Sequence, residues 1–330
     1  MAKNNKKCIV MFSGGLDSRL AVKIMQEQGF DVLALHFKLP VGGGCGCVQE
    51  EVEKFASKNN VKLKTIDCTL GRNLKEYWET ITHPKYSRGQ GVNPCKDCRA
   101  FMLKKAKKIA DKKRISLIVT GEVLEERPMS QMKKSMKTVA KESGLEGRIL
   151  RPLSALALPE EMNPKPEIME KIDKTRLYSI KGRKRKKQEE LAERFRISYP
   201  QPGGGCLLCE KNLSKRFRFL FQRGVDKKEI PLFNIGRHFV IDDYWIIIGR
   251  NEKENDIIES VKKGKKVEAE SLPEIEAGPT AIILKPKDKR KHGKSKLKAV
   301  ANKTKELVKA YSKSRKENLN ERAKFQKYKI

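Results

Sequence analysis

The sequence predicts an α/β fold, a parallel sheet with helices on both faces, followed by a small α+β domain and a basic tail. Three observations carry this. Apolar runs at Cys8–Phe12, Val32–Phe37 and Leu63–Ile66 alternate with stretches of helical periodicity, the pattern of β-α-β connections. The first run enters a glycine turn, Ser13-Gly14-Gly15, and leaves it directly on an amphipathic segment. A further run, Ile115–Thr120, follows a long basic helical stretch and ends on Gly121. With 330 residues the chain has room for about two domains and a buried core in at least one.

In chain order, Cys8 opens the first strand and reads as a small core hydrophobe. The turn Ser13-Gly14-Gly15-Leu16-Asp17-Ser18 then starts a helix that runs to about Gln28 and stops at Gly29. Its glycines let backbone approach a ligand, and the free amides and dipole of the new helix favour a phosphate there. The spacing is neither that of the Walker loop nor of the dinucleotide fingerprint. The second strand ends at His36-Phe37, and Cys45-Gly46-Cys47 follows in a glycine loop, as a sulfur carrier or as incidental thiols. A helix near 48–58, the strand Leu63–Ile66 and a helix from about Arg99 to Lys112 come next. Cys68 follows alternating residues, so its default role is structural. Ligands of such sheets bind beyond the carboxyl ends of the strands where strand order reverses, so Gly14, His36-Phe37 and Gly121 are expected to converge.

Proline content rises over 154–166, Glu167–Tyr178 reads as helical, and Arg183, Lys184, Arg185 and Lys186 lie in a dense basic run. A helix over Gln188–Arg196 precedes a proline and glycine turn that delivers Cys206. Short strands follow at Phe239–Ile241 and Trp245–Ile248, with Asp242-Asp243 as their turn. From Lys285 to Ile330 there are eighteen Lys and Arg against four Asp and Glu. This tail reads as disordered, or as a helix formed on RNA.

The formal charge is +33, from 74 Lys and Arg against 41 Asp and Glu, which makes a polyanion the expected partner and nucleic acid the first candidate. No run reaches the roughly twenty apolar residues that span a bilayer, so no membrane role and a cytoplasmic location are expected. The cysteines are uneven: Cys95 and Cys98 form one C-x-x-C, Cys206 and Cys209 another. In a reducing compartment this reads as metal ligation, redox catalysis or free thiols.

Ser13-Gly14-Gly15-Leu16-Asp17-Ser18 resembles the PP-loop of ATP pyrophosphatases, which split ATP into AMP and pyrophosphate while adenylating a substrate. With Asn93-Pro94-Cys95-Lys96-Asp97-Cys98, Gly121-Glu122-Val123 and Gly204-Gly205-Cys206-Leu207-Leu208, the chain resembles the PP-loop tRNA thiolases related to bacterial 2-thiouridylase. The resemblance covers about two thirds of the chain. It implies a HUP-type sheet, ATP and Mg²⁺ as cofactors, and tRNA and a sulfur donor (sulfide or a persulfide-carrying protein) as partners. It further implies pyrophosphate held by the loop amides with Ser13, Gly14, Gly15 and Ser18, with Asp17 positioning Mg²⁺ or the helix start. Adenine is read near His36 and Phe37, and ribose is accommodated at Gly121. Cys95 stands where 2-thiouridylase has aspartate, which moves the comparison towards thiolases that hold a [4Fe-4S] cluster on three cysteines, here Cys95, Cys98 and Cys206. Two alternatives stay open: a cluster-free mechanism with Cys98 and Cys206 as persulfide carrier and resolving thiol, and Zn²⁺ on all four cysteines.

Asn234-Ile235-Gly236-Arg237-His238-Phe239 and Ile248-Gly249-Arg250-Asn251-Glu252 are similar to the NFACT-R-like RNA-binding module. The expected organisation is a catalytic domain over 1–153, a helical linker with the second cysteine pair over 154–222, an RNA-binding domain over 223–284 and the tail over 285–330. Arg183, Lys184, Arg185, Lys186, Arg237 and Arg250 are the expected RNA contacts. The activity expected is ATP-dependent tRNA thiolation. Its rivals are a sulfur-independent adenylating or amidating enzyme and a non-catalytic RNA-binding protein.

Overall fold

The computed structural model describes residues 6–41, 49–87, 89–201, 206–263, 269–271, 279–288, 290, 293–312 and 319–330. The expectations for Cys45, Cys47, Gly204 and Gly205 lie outside the described residues. The chain divides into two compact units, Met1–Cys209 and Glu210–Ile330.

In the first unit the elements are β1 (Lys7–Met11), α1 (Leu16–Glu27), β2 (Asp31–Lys38), α2 (Gln49–Lys58), β3 (Lys62–Asp67), α3 (Gly71–Thr82), α4 (Cys95–Lys112), β4 (Leu117–Thr120), α5 (Lys133–Ser143), β5 (Ile149–Leu150), α6 (Pro166–Met169) and α7 (Lys186–Arg194). Among the described residues five strands form a parallel sheet in the order β3-β2-β1-β4-β5. The order reverses between β1 and β4, and this is where ligands of open α/β sheets bind. β1 is central, which is why Cys8, Ile9 and Val10 are fully buried and its sequence lacks alternation. Burial pushes the Cys8 thiol far up, in keeping with an inert core thiol.

Helix α1 is buried on two sides. Ala21, Val22 and Met25 pack with Cys8, Val10 and Phe12 of the sheet, whereas Leu16, Leu20 and Ile24 pack with Leu191 and Ala192 of α7. The α7 segment therefore closes over the helix that starts at the glycine turn. The expected helix over Glu167–Tyr178 is not formed. Its first turn is α6, after which the Asp173 carboxylate accepts from the Thr175 amide at 2.9 Å and starts a separate 3₁₀ turn. Ile168, Ile172 and Leu177 still reach the main core, so the apolar spacing was legible but the chain between them is kinked.

The second unit contains α8 (Ser214–Arg223), β6 (Arg237–Ile241), β7 (Tyr244–Ile248), α9 (Glu252–Lys263), β8 (Ala269–Ser271), β9 (Ala281–Leu284), α10 (Lys294–Ser312) and α11 (Leu319–Lys324). Its antiparallel sheet runs β6-β7-β9-β8. Asp242 and Asp243 have φ of 49° and 70°, the left-handed pair that a two-residue hairpin turn requires.

The expectation of a disordered tail is corrected here. Val300, Leu307, Val308 and Ala310 of α10, with Phe325, are buried against Phe239, Tyr244, Ile246 and Ile283 of this sheet, and the Ile330 amide donates to the His238 carbonyl. The lysines of the tail conceal an apolar stripe with helical spacing, and that stripe covers one sheet face.

His238 is fully buried with both ring nitrogens engaged. Trp245 Nε1 donates to its Nδ1 at 3.1 Å, and its Nε2 donates to the Ile235 carbonyl at 2.6 Å. Burial holds its pKa well below the usual histidine value. The unfolded chain therefore takes up a proton below about pH 6.5 that the folded unit does not. Stability of this unit is fully present above that pH and falls as the pH drops below it. Acid titration of Trp245 fluorescence in a Trp78→Phe background should show this loss, and a His238→Phe variant should lose the pH dependence even where it is less stable; an unchanged profile excludes His238 as its source.

Candidate functional site

The glycine turn is braced by its own side chains. Gly14 has φ 86°, which disfavours any residue with a side chain. The Ser18 hydroxyl accepts from the Gly14 amide at 3.1 Å and donates to the Gly15 carbonyl at 2.9 Å, and Ser13 Oγ lies 3.3 Å from it. Arg19, which no sequence motif singles out, is buried. Its Nε donates to the Gly14 carbonyl at 2.6 Å and an Nη to the Ser198 carbonyl at 2.7 Å. An arginine inside an otherwise apolar helix face was the signal available. With the loop carbonyls taken up and no side chain capping the start of α1, the helix amides form an uncapped anion site.

The other expected nucleotide residues stand at neighbouring strand ends. His36 Nδ1 is 3.0 Å from the Phe12 carbonyl, and burial lowers the pKa of this histidine. Phe37 is half-buried one residue further along β2. Gly121, at the end of β4, lies against α1: a Cβ there would stand 2.5 Å from the Asp17 carbonyl carbon and oxygen and 2.7 Å from the Ser18 amide nitrogen. Its missing side chain thus has a packing reason. Gly121→Ala must push β4 and α1 apart, with an expected cost of about 1–3 kcal/mol. Urea denaturation measures it, and unchanged stability would show that this approach is not tight.

Asp17 faces groups from two other segments. Burial and the Glu126 carboxylate push its pKa up to about 7, while Arg185, Arg127 and Gln188 pull it down. Arg185 Nε and an Nη each lie 3.1 Å from Glu126 Oε1. Asp17 Oδ1, Glu126 Oε2 and Gln188 Oε1 are buried and have no hydrogen-bond partner. Orphaned oxygens at the start of α1 suit a hard divalent cation such as Mg²⁺.

The two C-x-x-C pairs meet. Helix α4 starts four residues earlier than expected, at Cys95, so Cys95 and Cys98 occupy its first turn. Because α4 precedes β4, this turn lies at the carboxyl edge of the sheet, the edge that also carries the glycine turn. The amides of Val92 and Asn93 both donate to the Leu208 carbonyl at 3.0 Å, which docks the second pair onto the first. Cys95 Sγ is 3.2 Å from Cys209 Sγ, and Cys98 Sγ is 3.8 Å from the hydroxyl of buried Tyr77.

Burial and Cys206 push the Cys98 thiol up to about 11. Cys209 is pushed up to about 12; its bond with Cys206 lowers it, but the bond with Cys95 and burial prevail. Cys95 alone is lowered, by that bond from Cys209. Thiols so raised need a cation among them to become thiolates. The donor set, four sulfurs, fits zinc or an iron-sulfur cluster in chemistry. The 3.2 Å spacing is shorter than the ~3.8 Å sulfur–sulfur edge of a tetrahedral zinc site, and among the described residues no group of three or more His, Cys, Asp or Glu has metal-site geometry.

Next to Cys98, Arg99 pairs with Glu122 Oε1 at 3.0 Å, and Arg151 Nε and the Thr120 hydroxyl reach Glu122 Oε2 at 3.0 and 2.9 Å. Burial raises the Glu122 carboxyl, but Arg99 and Arg151 outweigh it and hold it low. This pair links the cysteine helix to the end of β4.

Among the expected RNA contacts, Arg183, Lys184 and Lys186 point away from the core, the first two exposed or half-exposed and the third at the start of α7. Arg185 turns inward to Glu126. Arg237 stacks on the Tyr311 ring at 4.8 Å and donates to the Gly249 carbonyl, and Arg250 Nε bonds Glu254 at 2.9 Å. These three guanidiniums have partners within their own unit, a correction to the even row of free cations expected from sequence. No helix among the described residues is long and apolar enough to cross a membrane.

Comparison with known proteins agrees with this geometry. The chain is 31% identical over 119 residues to the tRNA-specific 2-thiouridylase MnmA of Petrotoga mobilis, covering 32% of each chain. It is 28% identical over 109 residues to a tRNA-specific 2-thiouridylase MnmA of a Thermoanaerobacter species, covering 30% of each. The chain thus spans about a third of the length of the curated relatives it matches. A solved U34-tRNA thiolase, NcsA from Methanococcus maripaludis with its [4Fe-4S] cluster, aligns over 69% of this chain and 71% of its own at 16% identity and TM-score 0.34. Residues 4–168 match the family described as thiamine biosynthesis protein (ThiI). That match spans half of the chain and includes the glycine turn, the first cysteine pair and the Gly121-Glu122 strand end, and the chain belongs to the ThiI family.

Proposed function

We propose that this chain is an ATP-dependent tRNA sulfurtransferase that adenylates a uridine carbonyl and replaces its oxygen with sulfur. The observation that supports the reading is the meeting of Cys95, Cys98, Cys206 and Cys209 at the sheet edge that carries the uncapped, glycine-led start of α1.

In this reading the amides of the turn, with Ser13 and Ser18, bind the β- and γ-phosphates, and Asp17 with Mg²⁺ offsets the charge of the departing pyrophosphate. The uridine oxygen attacks the α-phosphorus and pyrophosphate leaves; sulfur then attacks the activated carbon, and AMP departs with the oxygen. His36 and Phe37 border the adenine end. Arg183, Lys184 and Lys186, with the lysine-rich second unit as an RNA-binding module, hold the tRNA backbone. The buried thiols exclude water from the sulfur and hold it beside the base. A [4Fe-4S] cluster on Cys95, Cys98 and Cys206 would supply an open iron to which inorganic sulfide binds.

The presence of Cys209 in the same group favours a second reading of the metal, Zn²⁺ on four thiolates. Metal analysis of anaerobically purified protein separates them: about four irons per chain for the cluster, one zinc for the alternative.

The activity test is anaerobic incubation with tRNA, ATP and sulfide, followed by nucleoside mass spectrometry. Thiouridine with matching AMP is the expected product. Pyrophosphate release without thiouridine would point to a sulfur-independent adenylating enzyme, and no pyrophosphate with any tRNA to an RNA-binding protein.

A further inference from the structure

Three oxygen acceptors without partners surround the first turn of α1: Asp17 Oδ1, Glu126 Oε2 and Gln188 Oε1. They come from three separate segments, namely α1, the loop after β4 and the first turn of α7. Gln188 is fully buried and Glu126 is 7% exposed. A buried acceptor left unpaired costs about 1–3 kcal/mol, more when charged, and three in one place form an arrangement that a bound ligand relieves. The ligand must present positive charge to oxygen.

Arginine does not fill this role. Arg185 is committed to the other oxygen of Glu126, at 3.1 Å, and leaves Oε2 free. Two carboxylates and an amide carbonyl are instead the donors preferred by small hard divalent cations, which keep several waters and bind alongside phosphate. The local charge agrees: Arg127 and Arg185 face Asp17 and Glu126, so the site is close to neutral and a cation that arrives with a polyphosphate leaves little net charge.

We propose that Glu126 and Gln188 complete, with Asp17, a binding site for a hard divalent cation, Mg²⁺ or Mn²⁺, that enters with the polyphosphate of the nucleotide. This rests on the ATP-dependent reading above. The α7 segment thereby acquires a role beyond packing. Gln188 brings its carbonyl to a helix that is distant in sequence, so the closing of α7 over α1 assembles the cation site.

The test is Mn²⁺ titration of the full chain, with free Mn²⁺ read by electron paramagnetic resonance in the absence of nucleotide. Wild type should bind about one Mn²⁺. Glu126→Gln, which keeps shape and removes charge, should weaken binding at least about tenfold, and Gln188→Glu should tighten it. Both variants should melt within a few degrees of wild type. Mn²⁺ affinity within twofold of wild type in Glu126→Gln, or no tightening in Gln188→Glu, overturns the proposal, and the second variant decides if the first fails to fold. If the site behaves as expected but wild type makes no thiouridine or AMP, the thiolation reading fails and the cation site stands. If thiouridine forms but Mn²⁺ binding ignores both substitutions, only the cation site fails.

Discussion

Cys98→Ser and Cys206→Ser should each lower thiouridine formation by at least about 100-fold while nucleotide affinity stays within twofold of wild type. The two residues come from different pairs, yet each lies in the electrostatic reach of the other. Serine keeps the size and hydrogen bonding of the side chain but is neither a soft metal ligand nor a sulfur carrier, so both the cluster and the persulfide routes fail in either variant. The nucleotide affinity should survive because the glycine turn is braced by Ser18 and Arg19, not by the thiols. Cys8→Ala, in the buried central strand, is the control for nonspecific loss. Nucleoside mass spectrometry and equilibrium nucleotide binding make the measurement. Full turnover in both serine variants would remove sulfur transfer at these cysteines from the mechanism.

Glu122→Ala should destabilise the first unit by about 3–5 kcal/mol, because it leaves Arg151, itself 1% exposed, as an uncompensated buried charge. Glu122→Gln should cost less, since the amide oxygen still accepts from one guanidinium. The sign of the pH dependence follows from the low folded pKa of Glu122. Its contribution is present above about pH 4.5, the unfolded value, and is lost as the pH falls through the lower folded value. Urea denaturation at pH 7 and pH 4 measures both effects. A loss under 1 kcal/mol in the alanine variant would mean that water or a rearranged Arg99 replaces the carboxylate. Because Arg99 follows Cys98 directly and Gly121 touches α1, the same substitution should loosen the thiol group and the phosphate turn together.

Much of the site lay open in the sequence because its parts are local. Ser13 to Ser18 carries strand, turn and helix signals within a few residues, and each C-x-x-C announces itself. The residues that complete the site have no local signature. Glu126 is one acid in a charged loop, Gln188 one polar residue beside a basic run, and Arg185 one of several cations. Each gains a role only when α7 packs on α1. The tail folds against expectation because its lysine content hides the spacing of Val300, Leu307 and Val308; charge controls solubility and partners, whereas burial of one helix face decides whether a segment folds.

By itself the amino-acid sequence determined the α/β alternation, the phosphate-binding turn, the two thiol pairs and the polyanion-seeking charge, since periodicity and short motifs act over a turn or two of chain. Only the tertiary structure decided that the four thiols form one group, that Arg19 anchors the turn, and that Arg185, Arg237 and Arg250 serve their own units. Such pairings depend on which distant segments bury against each other, and that choice belongs to the packed core as a whole, not to any one stretch of sequence.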